Sequence, residues 1–147
     1  MEKHPLLKKI IMVDYMAFVA FIFPFVIWGM YIFLVFLEKV PTPTMFSLPA
    51  IFGLITLGAI IVLVWRIQII RNVFSDGVEA MATLDKVFFY RDRGRLDYYY
   101  IFMGENYRSY NAVQKCKYTK DLQIGSQKVV MVDRNNPKRA FICDLYL

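Results

Sequence analysis

The chain has 147 residues and a mass of 17.3 kDa; 58% of its residues are hydrophobic, 17% aromatic and 20% charged, with a formal net charge of +6. Soluble domains run at about 45–50% apolar and about 25% charged, so this balance excludes disorder, collagen and a disulfide scaffold and points to a membrane. One His and two Cys leave little for a metal cage or a His-dependent triad.

In chain order, residues 1–14 read as an N-terminal tail carrying Lys3, His4, Lys8 and Lys9. Two uncharged runs follow, residues 15–37 (23 residues) and 45–65 (21 residues). At about 1.5 Å per residue each reaches roughly 30–35 Å, enough to cross a hydrocarbon core. Two such runs cannot both be buried in a chain this short. The first is too long and too rich in Phe for a signal peptide and has no small-x-small cleavage site, so it reads as an uncleaved anchor.

The predicted layout is a first transmembrane helix at 15–37, a short external loop at 38–46, and a second transmembrane helix at 47–70. A helical extension at 71–76 leads into a small β domain at 77–147. Basic residues flanking the runs set the orientation. Lys3, Lys8, Lys9, Arg66 and Arg71 stand on one side against Lys39 alone in the loop, which predicts both termini and the β domain in the cytoplasm. Ser47 reads as an N-cap with Pro49 in the first turn. Gly77 reads as a left-handed C-cap.

Several polar or helix-shaping residues stand out in the apolar part. Asp14 lies at the start of the first run. In an antiparallel hairpin it reaches the same depth as Arg66, which allows an ion pair; the alternatives are simple helix-dipole complementarity, or ion or proton handling. Pro24 removes the hydrogen bond to the Ala20 carbonyl and is expected to bend its helix. Trp28 and Tyr31, one turn apart, face either a second helix or lipid. Ala50, Gly53, Thr56 and Gly58 give a run of small side chains that permits close helix approach, without a clean GxxxG repeat.

From residue 71 onward there are 13 Lys/Arg against 9 Asp/Glu, and strand signals follow one another closely. Strands are predicted at 78–90, 96–103, 107–113, 128–132 and 140–146. In the second, Tyr98, Tyr100 and Phe102 share one face, and Tyr99, Ile101 and Met103 the other. Residues 91–95 read as a hairpin tip whose Arg91, Arg93 and Arg95 either contact anionic headgroups or an acidic partner, or are simply solvated. Five short strands with aromatics on both faces predict a small five-stranded antiparallel β-barrel-like domain. The fold class is therefore membrane α + β. The domain is small enough that docking on the hairpin or on another subunit is expected to supplement its core.

Residues 124–140, Ile-Gly-Ser-Gln-Lys-Val-Val-Met-Val-Asp-Arg-Asn-Asn-Pro-Lys-Arg-Ala, resemble the closing signature of an uncharacterised bacterial membrane-protein family. That family joins two N-terminal transmembrane helices to a small β domain ending in a Tyr-Asp-Pro-x-Asn-Pro loop. Gly77, Ala82 and the Gly104-to-Tyr107 turn fit the same layout, whereas Val132 and Arg134 depart from it. The resemblance implies a bacterial cytoplasmic membrane and no particular activity. Within the loop, Asp133 and Asn136 are suited to bonding nearby backbone, and Pro137 to fixing the turn.

No catalytic, cofactor-binding or metal-ligating set emerges. Cys116 and Cys143 lack CxxC or Cys/His spacing and read as reduced thiols. No phosphate-cradling glycine motif occurs, and the acidic residues are not paired. Tyr98, Tyr99, Tyr100, Tyr107 and Tyr110 with Arg108 would permit base stacking, but a small aromatic core explains them more simply, and nucleic acid is not an expected partner. The expected partners are the lipid bilayer and other membrane subunits or copies of the chain itself. The expected function is a non-enzymatic accessory or assembly subunit of a membrane complex. The alternatives are a homo-oligomeric pore, disfavoured by the lack of a polar stripe, and a membrane-tethered ligand-binding domain.

Overall fold

The structure, a computed structural model, describes residues 4–37 and 42–147. Lys3, Lys39 and the rest of residues 38–41 in the expected loop lie outside the described residues. Two long apolar helices precede a five-stranded antiparallel sheet curled into a nearly closed barrel. The elements are α1 (Leu7–Val13), α2 (Tyr15–Phe36), α3 (Thr42–Asp76), β1 (Val78–Tyr90), β2 (Arg93–Phe102), β3 (Glu105–Gln114), β4 (Gln127–Val132), β5 (Ala140–Ile142) and α4 (Cys143–Tyr146). The strand order is β3-β2-β1-β4-β5, so β3 and β5 form the two edges.

The segment read as a tail contains α1, because Ile10 and Val13 fall on one helical face and are buried. Asp14 is extended and separates α1 from α2. Pro24 sits inside α2, which runs through it as one helix. Both α2 and α3 are long and apolar enough to cross a membrane, with mean hydropathy of 2.4 and 2.5 over their apolar stretches.

The second helix differs from expectation at both ends. It starts at Thr42, so Ser47 is not its N-cap and Pro49 lies inside it rather than in the first turn. It runs unbroken to Asp76, a length of roughly 50 Å at the standard rise. Its last turns pass beside the sheet and bury Ile70, Val73 and Phe74. Gly77 ends the helix without a left-handed φ. The position demands glycine for a different reason. A Cβ there would overlap the Val73 carbonyl oxygen and come within 2.7 Å of Met131 Cγ and 2.8 Å of the Val132 carbonyl oxygen.

The hairpins are tighter than the sequence suggests. Tyr90 pairs with Arg93, leaving a two-residue turn of Arg91 and Asp92, so Arg93 and Arg95 belong to β2. Phe102 pairs with Glu105 around Met103 and Gly104, both at positive φ, the turn that matches strand twist. The long β1 bends at a bulge between Leu84 and Lys86. The last strand stops at Ile142, and residues 143–146 form a helical turn instead of continuing it. That turn buries Leu145 and Tyr146 in the core, and the Tyr146 carbonyl accepts from the Leu6 N–H at 3.0 Å. The core thus combines inward-facing Leu84, Leu96, Tyr98, Val113 and Val130 with Ile10 of α1 and Ile70 of α3.

Candidate functional site: the helix junction and the barrel seam

Asp14 is the point where the helical and β parts meet. Its backbone forms an isolated bridge with Val113 of β3, and its N–H donates to the Ile10 carbonyl, closing α1. Its carboxylate is fully buried and meets three donors. The Ala17 N–H at 3.0 Å caps α2. Arg66 Nε lies 3.1 Å from both oxygens and Nη2 lies 2.7 Å from Oδ2, a fork-on-fork pair linking α2 to α3. The Tyr146 hydroxyl donates at 3.4 Å. The Arg66 guanidinium also stacks over Phe141, 5.3 Å from the ring centre. Burial pushes the Tyr146 phenol well above its ordinary range, and the Asp14 charge pushes the same way.

Along the hairpin, the Trp28 indole N–H donates to Thr56 Oγ at 2.9 Å, and the Thr56 hydroxyl donates to the Phe52 carbonyl. Trp28, Tyr31 and Phe52 pack edge to face, with ring centres 5.9–6.3 Å apart. These two residues of α2 therefore face α3. Gly53 and Gly58 do not form the helix contact: both are exposed, and a Cβ at either would meet nothing within 4 Å. At the level of Trp28 the inter-helix contact is made by large aromatic side chains, while Ala17, Ala20 and Ile27 are the buried residues of α2.

In the barrel, β3 and β5 are joined by side chains of β2 and β3 that reach backbone carbonyls on the far edge. The Tyr98 hydroxyl donates to the Ala140 carbonyl at 2.6 Å and lies 3.1 Å from Asn111 Oδ1. Asn111 Nδ2 donates to the same carbonyl at 2.9 Å. Ser109 donates to the Lys138 carbonyl at 2.8 Å, and Tyr100 donates to the Pro137 carbonyl. Burial raises the Tyr98 phenol far above its usual range and Tyr100 to about 12.

The 133–139 loop is a self-bonded turn. Asp133 Oδ1 accepts from the N–H groups of Asn135 and Asn136, and Asp133 Oδ2 lies 3.4 Å from Arg139 Nη1. Asn136 contributes its backbone, its carbonyl accepting from the Arg139 N–H at 2.8 Å. Pro137 serves through its carbonyl, as the acceptor for Tyr100.

The three arginines near the β1–β2 turn do not form one free cluster. Arg91 lies over Tyr90, whereas Arg95 pairs with Asp97 at 2.7 Å and stacks on Tyr110 at 4.2 Å. Among the described residues no three His, Cys, Asp or Glu side chains converge as a metal ion would require. Cys116 and Cys143 are not joined to each other.

Sequence reasoning missed Ser109, Asn111 and Tyr146, and read Thr56 as a small packing residue rather than as the acceptor for Trp28. For Ser109 and Asn111 a signal existed: they occupy the inward positions of an alternating strand, where a polar side chain requires a buried partner. Comparisons with protein-family models, with curated proteins and with solved structures find no match to this chain.

Proposed function

We propose that the chain is a non-enzymatic integral membrane subunit whose two helices cross the bilayer as an antiparallel hairpin, with both termini and the β domain on the cytoplasmic side. The β domain docks on a partner protein. Membership of the two-helix bacterial family that residues 124–140 resemble belongs to the same proposal.

One observation carries it: large apolar side chains are left uncovered in two places by a chain that builds a complete core in a third. Only 6% of the apolar stretch of α2 and none of that of α3 is buried, which suits lipid as the covering medium. On the outer face of the sheet, Tyr99, Ile101 and Met103 are 51%, 66% and 83% exposed, and Met81 on β1 is 57% exposed. A patch of this kind on a small domain fits a protein partner. The Asp14–Arg66 pair supports the depth assignment, since both apolar stretches begin at its level.

Gentle solubilisation from native membranes, followed by mass measurement and identification of co-purifying chains, tests the reading. A stoichiometric foreign partner that is lost on Ile101→Lys, with the barrel still folded, is the expected result. A closed homo-oligomer that conducts ions in liposomes overturns it. For orientation, an engineered cysteine at Thr42 is expected to be labelled only from outside the cell.

A further inference from the structure

A groove of about 480 Å³ opens over the seam between β3 and β5. Its wall carries Arg66, Arg108, Lys138 and Arg139 and no carboxylate. Asp14, Asp85 and Asp133 pair with the three arginines and hold them in place, yet none of these acids lines the groove. Arg66 meets Asp14 through Nε and Nη2, which leaves Nη1 for a ligand. The Lys138 ammonium is exposed, with no acidic partner among the described residues. Beneath these cations the side chains of Ser109 and Asn111 are buried and bonded to the carbonyls of Lys138 and Ala140, so the floor is rigid. One end reaches Met16, in the first turn of α2, where the apolar stretch begins.

We propose that this groove binds a phosphate-bearing anion. Guanidinium forks match the oxygens of a phosphate, and with Arg66, Arg108 and Arg139 each balanced by an acid outside the groove, the charge of Lys138 suits the single negative charge of a phosphodiester. The groove's position at the foot of α2 offers two sources: the headgroup of an anionic phospholipid, or a soluble phosphate compound. The ligand class follows from Arg108, Lys138 and Arg139 of the β domain together with Arg66 of α3. The lipid source alone rests on the two-span reading given above.

The test uses the full chain in an uncharged maltoside detergent, with native mass spectrometry against phosphatidylglycerol, phosphatidylcholine and inorganic phosphate. One phosphatidylglycerol is expected to be retained where phosphatidylcholine is not, and to be displaced by millimolar phosphate. Binding of inorganic phosphate without any lipid preference supports the groove and assigns a soluble source. Lys138→Gln and Arg108→Gln, both at exposed positions, are each expected to weaken binding roughly fivefold. Arg134→Gln, the same charge change outside the groove, is expected to leave binding unchanged. The proposal is overturned if neither anion exceeds phosphatidylcholine, if Lys138→Gln has no effect, or if Arg134→Gln weakens binding as much as Lys138→Gln does. A chain that binds phosphate yet is labelled from the wrong side at position 42 keeps the groove and loses the membrane topology, so the two failures are separable.

Discussion

In the β domain Leu84, Leu96, Tyr98 and Val130 are buried together. In the helical hairpin Phe25, Ile32, Leu54 and Ile61 are exposed, although that part of the chain is the more apolar of the two. The polar groups differ as well. The barrel draws Ser109, Asn111 and Tyr98 inward, because its edge strands are joined by side chain-to-backbone bonds that must be made away from water. The hairpin is cross-linked within its apolar span by Trp28 and Thr56, and clamped at its foot by the ion pair of Asp14 and Arg66. Apolar content therefore says little about how a segment is held. The location of the few polar groups distinguishes a region covered by its own chain from one suited to cover by lipid.

The clamp belongs to both regions, and breaking it carries the largest expected effect. The Asp14 side chain is 1% exposed and that of Arg66 17%, so removing either partner leaves a buried charge unpaired. Asp14→Asn and Arg66→Gln should each cost about 3 kcal/mol in denaturant titrations in mixed micelles. Because each single change already breaks the pair, the double variant should fall short of the sum by about 1–3 kcal/mol. Additive losses would mean that the two residues stabilise hairpin and barrel independently. Next comes Gly77→Ala, at the joint between α3 and β1. Its methyl meets backbone oxygen of Val73 and Val132, which cannot rotate aside, and the expected loss is about 2–3 kcal/mol. A neutral result would show that the joint flexes, so that the two regions are less rigidly coupled than their contacts imply.

The legibility of these features in the sequence follows the same division. The apolar helices were readable because charges are absent over long runs, and Asp14 and Arg66 stood out because they interrupt that absence. The faces of β2 were readable from alternation alone. The start of α3 was not, because Ser47 and Pro49 make a plausible local cap that the longer helix overrides. The end of β5 was equally hidden. Nothing local in residues 143–146 favours a helical turn strongly. The turn forms because it places Leu145 and Tyr146 against α1 and α3, an arrangement set by the whole fold. Gly77 was recognisable as a required glycine, but as a cap; the requirement comes from the Val73 carbonyl of its own helix together with Met131 and Val132, more than 50 residues away in sequence. The seam was obscure for a related reason: its acceptors are backbone carbonyls of residues 137–140, which carry no side-chain signature.

Tyrosine titration probes the barrel and, through Tyr146, its joint with the helices, and its effect is expected to be smaller near neutral pH than at alkaline pH. Burial raises Tyr100 from an ordinary value of 10.0 to about 12, with Tyr98 and Tyr146 raised in the same direction. The folded chain then holds these protons more tightly than the unfolded chain. Stability is fully present below pH 10 and falls as the pH rises from 10 towards 12 and beyond. Tyr100→Phe removes one contributor and should flatten that slope. Tyrosinate absorbance recorded alongside unfolding checks it. Ionisation of every tyrosine near pH 10 in a chain that stays folded would show that the seam is open to water.

The smallest effect is expected inside the hairpin. Trp28→Phe keeps an aromatic ring against Phe52 and Tyr31 but removes the N–H that reaches Thr56. Thr56 still donates to the Phe52 carbonyl, so no buried hydroxyl proton is stranded. Hydrogen bonds between helices in lipid are worth about 0.6 kcal/mol on average, because the separated helices find other partners. The loss for Trp28→Phe should therefore be about that size, with barrel stability unchanged. A loss of several kcal/mol would mean that the Trp28–Thr56 bond is made in a dry, protein-covered interior with no alternative partner. Lipid would then not be what covers these helices, and the contrast between the two regions would collapse.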